Sequence, residues 1–469
     1  MTDIWRRSAG ELAQAIATRE LSSREVIEAH LERIAAVNPK LNAVVQVLED
    51  QALHAADAAD RATAAGGDLG PLHGVPISVK CNIDMAGLPS TWGVPAFAHV
   101  AATRDAPLIE LLRAAGAIPI ARTNCPDLAM RVHTDSSLHG LTRNPWDFER
   151  TTAGSSGGEA AALASGMSPL GVGNDIGGSL RNPANACGIA SIRPSSGRVP
   201  DAAEPPFENR PIAWQWMAVQ GPMARTVADV RLGLKAMSGA HPRDPLAVGM
   251  PFEGPRQERL RVAVVPHPPG GACASVVAEA VRKAAAALSD VGYEVSEVTP
   301  PLYEEVLDAW KQLLMGDYAA LWEQMAPLMG NDGRHFFGSL FDMAPKLDSA
   351  AAMSQLLMTR DALARAWSLF MADYALVLSP TWTQLPFTHG YDVSSPEAIA
   401  QTMEMMRPVM PANLLGLPSA CVPAARDEQT GLPIGVLLTG RRFRDDQCLD
   451  AAEAVERLSP VKTPIDPAW

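Results

Sequence analysis

Short apolar segments alternate with helical segments along most of this chain, and no other feature of the sequence limits the choice of fold as strongly. Residues 75–79 and 117–121 have the length and composition of buried strands, and residues 107–115 between them show a helical pattern with proline at its start. Further short apolar runs lie at 170–172, 188–192, 261–265, 375–378, 420–422 and 434–438. This alternation predicts an α/β fold with a central mixed β-sheet that helices cover on both faces.

The first helices can be placed by the signals at their ends. Ser8-x-x-Glu11 and Ser22-x-x-Glu25 are capping-box patterns, in which a serine and a glutamate satisfy each other's backbone N–H groups at a helix N-terminus. The second pattern precedes apolar residues at helical spacing. Asn38-Pro39 then predicts the end of this second helix, because the residue before a proline is disfavoured in the helical conformation.

The composition excludes several classes of function. The 469 residues include 39 Lys+Arg and 52 Asp+Glu, and the net charge of −13 argues against binding to nucleic acid or anionic membranes, which requires basic surfaces. No apolar stretch approaches the ~18 residues of a membrane span, and no apolar signal core follows the N-terminus. The six cysteines include no Cys-x-x-Cys pair, so neither a disulfide framework nor a zinc site is indicated. We therefore expect a cytoplasmic protein with no nucleic-acid or membrane partner.

Motifs for nucleotides and metals are absent or incomplete. The chain has no Gly-Lys dipeptide, hence no P-loop, and no His-Glu-x-x-His metal motif. The glycines of residues 171–177 are one residue too widely spaced for a dinucleotide fingerprint. Residues 154–158 fit the Gly-x-Ser-x-Gly pattern of a nucleophile elbow, but the polar residues 146–153 do not resemble the buried strand that must precede it. We expect neither a cofactor nor a metal.

Glycine and serine are concentrated between residues 153 and 178, and Asp175-Ile-Gly-Gly-Ser179 closes this region. The simplest interpretation is a pair of glycine-rich turns. However, both turns place a serine beside paired glycines, and glycine lets a substrate approach bare backbone N–H groups, as an anion-stabilising loop requires. A nucleophilic serine does not require a histidine, because Ser-Lys variants exist. The region therefore fits serine nucleophile chemistry as well as a pair of structural turns.

The stretch Gly154-Ser-Ser-Gly-Gly-Glu-Ala-Ala-Ala162, followed by Asp175-Ile-Gly-Gly-Ser-Leu-Arg181, resembles the amidase signature family. Supporting matches are His73-Gly-Val-Pro-Ile-Ser-Val-Lys80, Thr142-Arg-Asn-Pro-Trp146 and Gly221-Pro-Met-Ala-Arg-Thr226. The resemblance implies one amidase domain over residues 1–469. Its signature core would lie at about 70–230, and a C-terminal part at about 258–469 would complete the sheet and the substrate pocket.

The resemblance also implies a Ser–cis-Ser–Lys triad. Ser179 matches the nucleophile, Ser155 the bridging serine whose preceding peptide bond is cis in the family, and Lys80 the base. The family's oxyanion hole corresponds to the backbone N–H groups of Ile176, Gly177, Gly178 and Ser179. The physical chemistry agrees for the lysine, because desolvation at the end of an apolar strand lowers the pKa of an amine toward neutrality.

Some positions depart from the common family pattern. Ala153 replaces a usual glycine, Asn174 a usual threonine, and Arg193 stands where Lys-Pro-Thr normally begins. None of these changes removes a member of the triad.

The resemblance also yields candidate substrate-binding residues. Arg131 and His133 follow Met130 where small residues are usual and where the substrate lies nearby in relatives, so these two bulkier polar residues are predicted to shape specificity. Met130 is a further candidate for substrate binding. Thr152 and Gly154 are further candidates, although Thr152 fits equally well as a residue that caps a turn.

The function implied by the resemblance is hydrolysis of a linear carboxamide to a carboxylic acid plus ammonia or an amine, through a seryl acyl-enzyme. Two alternatives stay open, namely the glutaminase component of a tRNA-dependent amidotransferase and a catalytically silent binding protein. The substrate is expected to be a small-molecule amide, and the oligomeric state is open, a homodimer included. A set of bulky residues could lie either in the core or in the wall of an apolar substrate pocket. They are Trp214, Trp216, Met217, Trp310, Trp322, Trp382, Met403, Met405 and Met406.

Overall fold

The computed structural model describes residues 3–255, 260–343, 347 and 349–467. The strands in this part of the chain are β1 (Val44–Val47), β2 (Pro76–Lys80), β3 (Ile118–Thr123), β4 (Asp135–Ser136), β5 (Gly140–Leu141), β6 (Leu170–Asp175), β7 (Ala190–Arg193), β8 (Val219–Ala224), β9 (Arg261–Val264), β10 (Glu294–Glu297), β11 (Leu376–Pro380), β12 (Ser419–Arg426) and β13 (Pro433–Gly440). The predicted domain boundaries at residues 1, 258 and 469 lie outside the described residues.

Eleven of these strands form one sheet in the order β1-β3-β2-β6-β8-β7-β12-β13-β11-β9-β10, and β4 and β5 form a separate pair. Strands β3, β2 and β6 run parallel, as do β11, β9 and β10, whereas the pairs from β6 through β11 are antiparallel. The predicted mixed sheet is therefore confirmed. Strand β8 was not predicted, because Gly221-Pro222 in its centre is unfavourable for a strand.

The α-helices of the described residues are α1 (Ala9–Ala17), α2 (Ser23–Leu41), α3 (Glu49–Ala65), α4 (Pro107–Ala114), α5 (Gly157–Ala164), α6 (Arg181–Cys187), α7 (Ile212–Met217), α8 (Val227–Met237), α9 (Ser275–Asp290), α10 (Tyr303–Met325), α11 (Asn331–Met343), α12 (Ala350–Asp373), α13 (Pro396–Met405), α14 (Met410–Leu415) and α15 (Asp445–Leu458). Among them, none combines the length and the apolar character needed to cross a lipid bilayer.

Both predicted capping boxes are present at the N-termini of α1 and α2. The predicted end of α2 at Asn38-Pro39 is wrong, because the helix continues through the proline to Leu41. The side-chain oxygen of Asn38 instead accepts hydrogen bonds from the N–H groups of Ala43 and Val44, at 2.9 and 2.8 Å. Asn38 thus stabilises the turn after the helix, and Pro39 is tolerated close to the helix end.

Helices cover both faces of the sheet, as predicted. On β2, Ile77 and Val79 belong to an apolar cluster that includes residues of α4, α8 and α15. Because side chains alternate along a strand, Ser78 and Lys80 point to the opposite face. There Ser78 donates a hydrogen bond to Glu159 of α5. The fold therefore directs Lys80 toward the face that α5 covers, at the carboxyl end of β2.

Candidate active site

The carboxyl end of β2 places a lysine inside the protein. Lys80 is the last residue of this strand, and its side chain is completely buried. Its Nζ lies 2.7 Å from Ser155 Oγ and 2.7 Å from Oδ1 of Asn174, which lies on the neighbouring strand β6. In the part of the chain that the structure describes, Lys80 forms no ion pair, so its polar partners are a hydroxyl and an amide.

Burial dominates the protonation equilibrium of this lysine and lowers the pKa of Lys80 to about 8. Four neighbouring groups act in the opposite direction, namely the side chains of Cys125, Cys81, Asp175 and Glu159. With a pKa near 8, part of the molecules carry a neutral amine at pH 7, and a neutral amine can accept a proton from the hydroxyl beside it. The geometry therefore gives Lys80 and Ser155 the capacity for proton transfer.

The two serines predicted to act with Lys80 line one cleft. The Gly154–Ser155 peptide bond is cis, and Ser155 lies in the loop before α5. Ser179 lies in the loop between β6 and α6, and its carbonyl oxygen accepts a hydrogen bond from the N–H of Ser156 at 3.3 Å. The structure thus brings the three predicted catalytic residues into one site.

Asp175 anchors the loop that follows β6. Its buried carboxylate accepts hydrogen bonds from the N–H groups of Gly178 at 2.8 Å and Leu180 at 3.2 Å, and it pairs with the Arg181 guanidinium at 3.0 Å. Although burial acts to raise the pKa of Asp175, the Arg181 charge lowers it well below its usual range. Gly178 has a φ of 93°, and a Cβ there would lie 2.5 Å from Asn182 Oδ1, so only glycine fits.

The predicted oxyanion hole consists of four N–H groups, those of Ile176, Gly177, Gly178 and Ser179. Because the Gly178 N–H already donates to Asp175, this geometry does not support the prediction for Gly178. Within residues 3–255, 260–343, 347 and 349–467, the other three N–H groups donate to no protein acceptor. Three backbone donors next to the Ser179 side chain are therefore free to bind an anionic oxygen.

Two cavities meet at Ser179, and apolar groups make up most of the wall of each. The first, here called the polar cleft after the polar side chains of Asn82, Ser155, Asp201 and Gln220 in its wall, is also lined by Trp92, Leu128 and Trp214, and its space of about 670 Å³ includes open solvent. The second, here called the apolar cavity, has a volume of about 430 Å³ and includes Ile176, Ser179, Trp310, Leu314, Phe336 and Met403 in its wall. Ser155 lines the polar cleft but not the apolar cavity, so the two sides of a bound substrate would meet different surroundings.

The sequence did not show whether the bulky tryptophan and methionine residues belong to the core or to a substrate pocket. The structure places some of them in each. Trp310, Met403 and Met406 line the apolar cavity, and Trp214 lines the polar cleft. The Trp382 side chain is buried and donates a hydrogen bond to Asn182 at 2.9 Å, outside both cavities. Residues of the pocket wall and of the core therefore lie in segments of similar composition, so composition alone does not distinguish them.

Met130 and Arg131, two of the predicted substrate-binding residues, line the apolar cavity. The Arg131 guanidinium is nevertheless engaged, because it donates two hydrogen bonds to Asp392, at 2.5 and 3.0 Å, and lies 3.3 Å from Asp332. These charges raise the pKa of Arg131 against the opposing effect of burial. The arginine therefore has two carboxylate partners within the protein itself.

The other predicted substrate-binding residues, His133, Thr152 and Gly154, line neither cavity. The His133 ring nitrogen Nδ1 lies 2.8 Å from Thr151 Oγ1, and burial lowers the pKa of His133 well below its usual value. The Thr152 hydroxyl donates to the carbonyl oxygen of Ala153 at 3.3 Å. The side chains of His133 and Thr152 therefore contact the loop before Ser155 and stabilise it.

Sequence reasoning missed several polar residues around the site. Asn174 was noted only as a departure from the family's threonine, yet it accepts a hydrogen bond from Lys80 and donates one to Asn82 at 3.0 Å. Glu159 lies buried in the sheet-facing side of α5, where burial raises its pKa to about 7. A Cβ at Gly171 would lie 1.9 Å from Glu159 Oε1, so that glycine makes room for the carboxyl group. The asparagine at position 174, where the family usually has threonine, was the one sequence feature that could have pointed to these polar residues.

Comparison with known proteins gives consistent results over nearly the whole chain. The sequence model of the family described as Amidase matches residues 25–449. Over 461 residues the chain is 43% identical to the indoleacetamide hydrolase of Bradyrhizobium diazoefficiens, which covers 98% of this chain and 87% of that protein. It is 31% identical over 496 residues to a glutamyl-tRNA(Gln) amidotransferase subunit of Acidothermus cellulolyticus, covering 99% of this chain and 96% of that protein.

A solved structure shares the fold. The 6-aminohexanoate cyclic dimer hydrolase complexed with substrate superposes with a TM-score of 0.85, at 26% sequence identity and with 98% of each chain covered. The similarity therefore extends over the mixed sheet and the helices on both faces.

Proposed function

This chain belongs to the amidase family and is an amidase that hydrolyses amide C–N bonds, and from this premise we propose that it acts on primary amides of arylacetic acids, indoleacetamide in particular. The observation that carries the proposal is the apolar cavity that opens at Ser179, lined by Trp310, Phe336 and Met403. The 43% identity to an indoleacetamide hydrolase agrees with this choice of acyl group.

The proposed chemistry begins with a proton transfer. Neutral Lys80 takes the proton of Ser155, and Ser155 takes that of Ser179, whose Oγ attacks the amide carbon. The developing oxyanion is bound by the free N–H groups of the loop after β6, and each such donor contributes about 3 kcal/mol in comparable sites. The proton then returns through Ser155 to the leaving nitrogen, and water hydrolyses the acyl-enzyme.

The position of Ser155 supports one orientation of the substrate. The leaving nitrogen must approach the hydroxyl that gives it a proton, and Ser155 lines the polar cleft only. The nitrogen therefore faces the polar cleft, and the acyl substituent on the other side of the carbonyl carbon faces the apolar cavity. Burial of an aromatic ring there stabilises binding by about 1.5–3 kcal/mol.

The amidotransferase alternative fits this site less well. Glutamine carries an ammonium and a carboxylate at the acyl end, and burying them requires partners of opposite charge. The one charged side chain in the wall of the apolar cavity within the described residues is Arg131, which is paired with Asp392. The higher identity to the indoleacetamide hydrolase, 43% against 31%, points the same way.

A substrate panel tests the proposal. Purified protein is incubated with indoleacetamide, phenylacetamide, hexanamide and glutamine, and the acid product and ammonia are both quantified. We expect kcat/KM for the two arylacetamides to exceed that for glutamine by about 100-fold or more. Ser179→Ala identifies background hydrolysis, and Ser168→Ala, at a buried serine in neither cavity, serves as the matched control. Glutamine as the best substrate would replace the proposal by the amidotransferase alternative.

A further inference from the structure

Two buried thiols lie in contact next to Lys80. Strands β2 and β3 run parallel and end side by side, with Lys80 opposite Thr123. Cys81 follows β2 directly, and Cys125 lies two residues after the end of β3. Their Sγ atoms are 3.4 Å apart, and both thiols are free and buried. The proposed hydrolysis assigns no step to either thiol.

A buried arginine contacts the same segment of chain. The Arg122 Nη2 donates to the carbonyl oxygens of Lys80 at 3.4 Å and of Ile83 at 2.7 Å, which lie on either side of Cys81. Arg122 is 1% exposed, and within the described residues its Nε and Nη1 donate to no acceptor. Burial lowers the pKa of Arg122, and the Cys81 side chain is the strongest of the groups that oppose this effect. The arginine therefore stabilises a thiolate at Cys81.

The two thiols differ in acidity. The hydrogen bond with Cys125 lowers the pKa of the Cys81 thiol against the opposing effect of burial, and the Thr91 hydroxyl and the Arg122 charge act in the same direction. Burial instead raises the pKa of the Cys125 thiol well above its usual value. Because the thiolate is the nucleophilic form of cysteine, Cys81 is the sulfur that reacts first with an oxidant. Cys125 is then the neighbouring thiol that can react with the oxidised sulfur.

The position of Cys81 limits the size of the oxidant. The residues that follow it, Asn82 and Ile83, line the polar cleft, whose space includes open solvent. Cys81 itself is 1% exposed, so an oxidant must be small to reach its sulfur. Hydrogen peroxide is little larger than a water molecule and meets this condition.

We propose that Cys81 and Cys125 form an oxidative modification site, at which hydrogen peroxide converts the two thiols into a disulfide and thereby inactivates the enzyme. The Cys81 thiolate attacks one peroxide oxygen, so that an S–O bond forms, the O–O bond breaks, and the departing hydroxide takes up the proton that Cys81 has lost. The Cys125 sulfur then attacks the Cys81 sulfur, so that the S–S bond forms, the S–O bond breaks, and the second hydroxide takes the Cys125 proton. Two thiols and one peroxide thus give one disulfide and two waters.

The loss of activity follows from the distance that the sulfurs must move. A disulfide bond is about 2.05 Å long, so the two Sγ atoms must approach by about 1.3 Å from their separation of 3.4 Å. Cys81 is bonded directly to Lys80, whose Nζ lies 2.7 Å from Ser155 Oγ. A misplacement of about 1 Å at a reacting group can cost on the order of 100-fold in rate. Formation of the disulfide therefore disturbs the contact on which proton transfer from Ser155 depends.

Limited oxidation tests the site directly. The purified full-length protein, freed of reductant, is treated with hydrogen peroxide in small excess and then digested without reductant for peptide mapping by mass spectrometry. We expect a peptide pair linked through Cys81 and Cys125, and a loss of kcat/KM of about tenfold or more for the best amide substrate. Inactivated protein without this link, or linked protein that keeps its activity, would overturn the inference.

Variants of the first cysteine assign the loss of activity to the pair. Cys81→Ser and Cys81→Ala, each compared with its own untreated sample, should keep most of their activity in peroxide. Cys448→Ser, at a buried thiol that donates to the carbonyl oxygen of Pro418 at 3.7 Å, is the matched control and should be as sensitive as wild type. The methionines in the wall of the apolar cavity are present in all of these variants. An equal loss in the Cys81 variants and in wild type would assign the effect to another oxidation product, such as methionine sulfoxide, and would overturn the inference.

Cys125→Ser tests the order of the two steps. Without the second thiol, the oxidised Cys81 sulfur should gain oxygen atoms in place of the disulfide, whereas in Cys81→Ser the Cys125 thiol should stay reduced. Oxygen gained at Cys125 in Cys81→Ser, with Cys81 unchanged in Cys125→Ser, would overturn the assignment of Cys81 as the reactive sulfur. These outcomes do not depend on which amide the enzyme prefers, because the products are identified by mass.

Discussion

Two buried basic side chains at the candidate site, Lys80 and Arg131, show how differently burial can act. Lys80 is completely buried, and among the described residues the polar partners of its side chain are a hydroxyl and an amide, at 2.7 Å each. The Arg131 side chain is 3% exposed, and its partner Asp392 is completely buried. Burial lowers the pKa of Lys80 to about 8, whereas the carboxylates hold the Arg131 pKa above its usual value.

The pKa values of the two side chains shift in opposite directions because their hydrogen-bond partners differ, and not because one side chain is buried more deeply than the other. A buried cation without a counter-charge loses part of its proton affinity and becomes a base near neutral pH. A buried cation with a carboxylate stays charged and becomes part of the scaffold, where its loss leaves an uncompensated charge. We therefore expect Lys80 to matter for turnover and Arg131 for stability.

The largest expected effect is the loss of activity in Lys80→Met. Methionine fills the volume of the lysine but accepts no proton, so kcat/KM for an arylacetamide should fall on the order of 10³-fold or more. The unfolding transition in urea should be retained, because no ion pair is lost within the described residues. Lys235→Met, at a side chain that is 45% exposed, provides the matched control and should keep full activity. Activity within tenfold of wild type in Lys80→Met would contradict the role of Lys80 as base.

Arg131→Met should reduce the stability of the protein. It leaves the Asp392 carboxylate buried without its partner, and breaking such a pair typically costs about 3–5 kcal/mol of unfolding free energy. Urea titration followed by circular dichroism measures this loss. Arg365→Met, at an exposed surface pair, should leave the unfolding free energy nearly unchanged.

The same variant tests the predicted role of Arg131 in specificity. If Arg131 acts as scaffold, the folded fraction of Arg131→Met should keep the wild-type ranking of amide substrates, and so should His133→Ala. A changed ranking with unchanged stability would instead support the original specificity prediction.

The pH dependence of turnover tests the assignment of Lys80 as the base. Because the base must be neutral and the Lys80 pKa is about 8, kcat/KM should rise with pH and level off above the pKa. At pH 6 only about 1% of the molecules carry the neutral amine, so kcat/KM should be about 100-fold below its plateau. Initial rates between pH 6 and 9.5 measure the profile, with circular dichroism as a check on folding. A flat or falling profile would contradict the assignment of Lys80 as the base.

The alternation of strands and helices sufficed to predict the mixed sheet, because apolar runs and helix signals are local. The motifs around Lys80, Ser155 and Ser179 are local as well, and through their resemblance to the family they pointed to three residues that the structure brings together. Strand β8 was missed because the rest of the sheet, and not its own Gly221-Pro222, keeps it extended. The partners of Arg131 could not be predicted, since Asp392 is 261 residues away in the sequence. Ion pairs between residues far apart in the sequence decide whether a buried basic side chain stabilises the fold, as we expect for Arg131, or is available as a base.

The smallest of the expected effects comes from giving Lys80 a partner of the kind that Arg131 has. Asn174→Asp places a carboxylate where the amide oxygen lies 2.7 Å from Nζ, and an opposite charge at this distance raises the pKa of an amine. The rise in kcat/KM should therefore move to higher pH, with about tenfold lower activity at pH 7 that recovers in alkaline buffer. Asn174→Thr, the residue usual in the family, changes the side chain without adding charge and should keep the wild-type profile. An equal loss in both variants, at every pH, would mean that Asn174 matters through packing. A shift confined to Asn174→Asp would show that a neutral partner is what keeps the buried lysine available as a base.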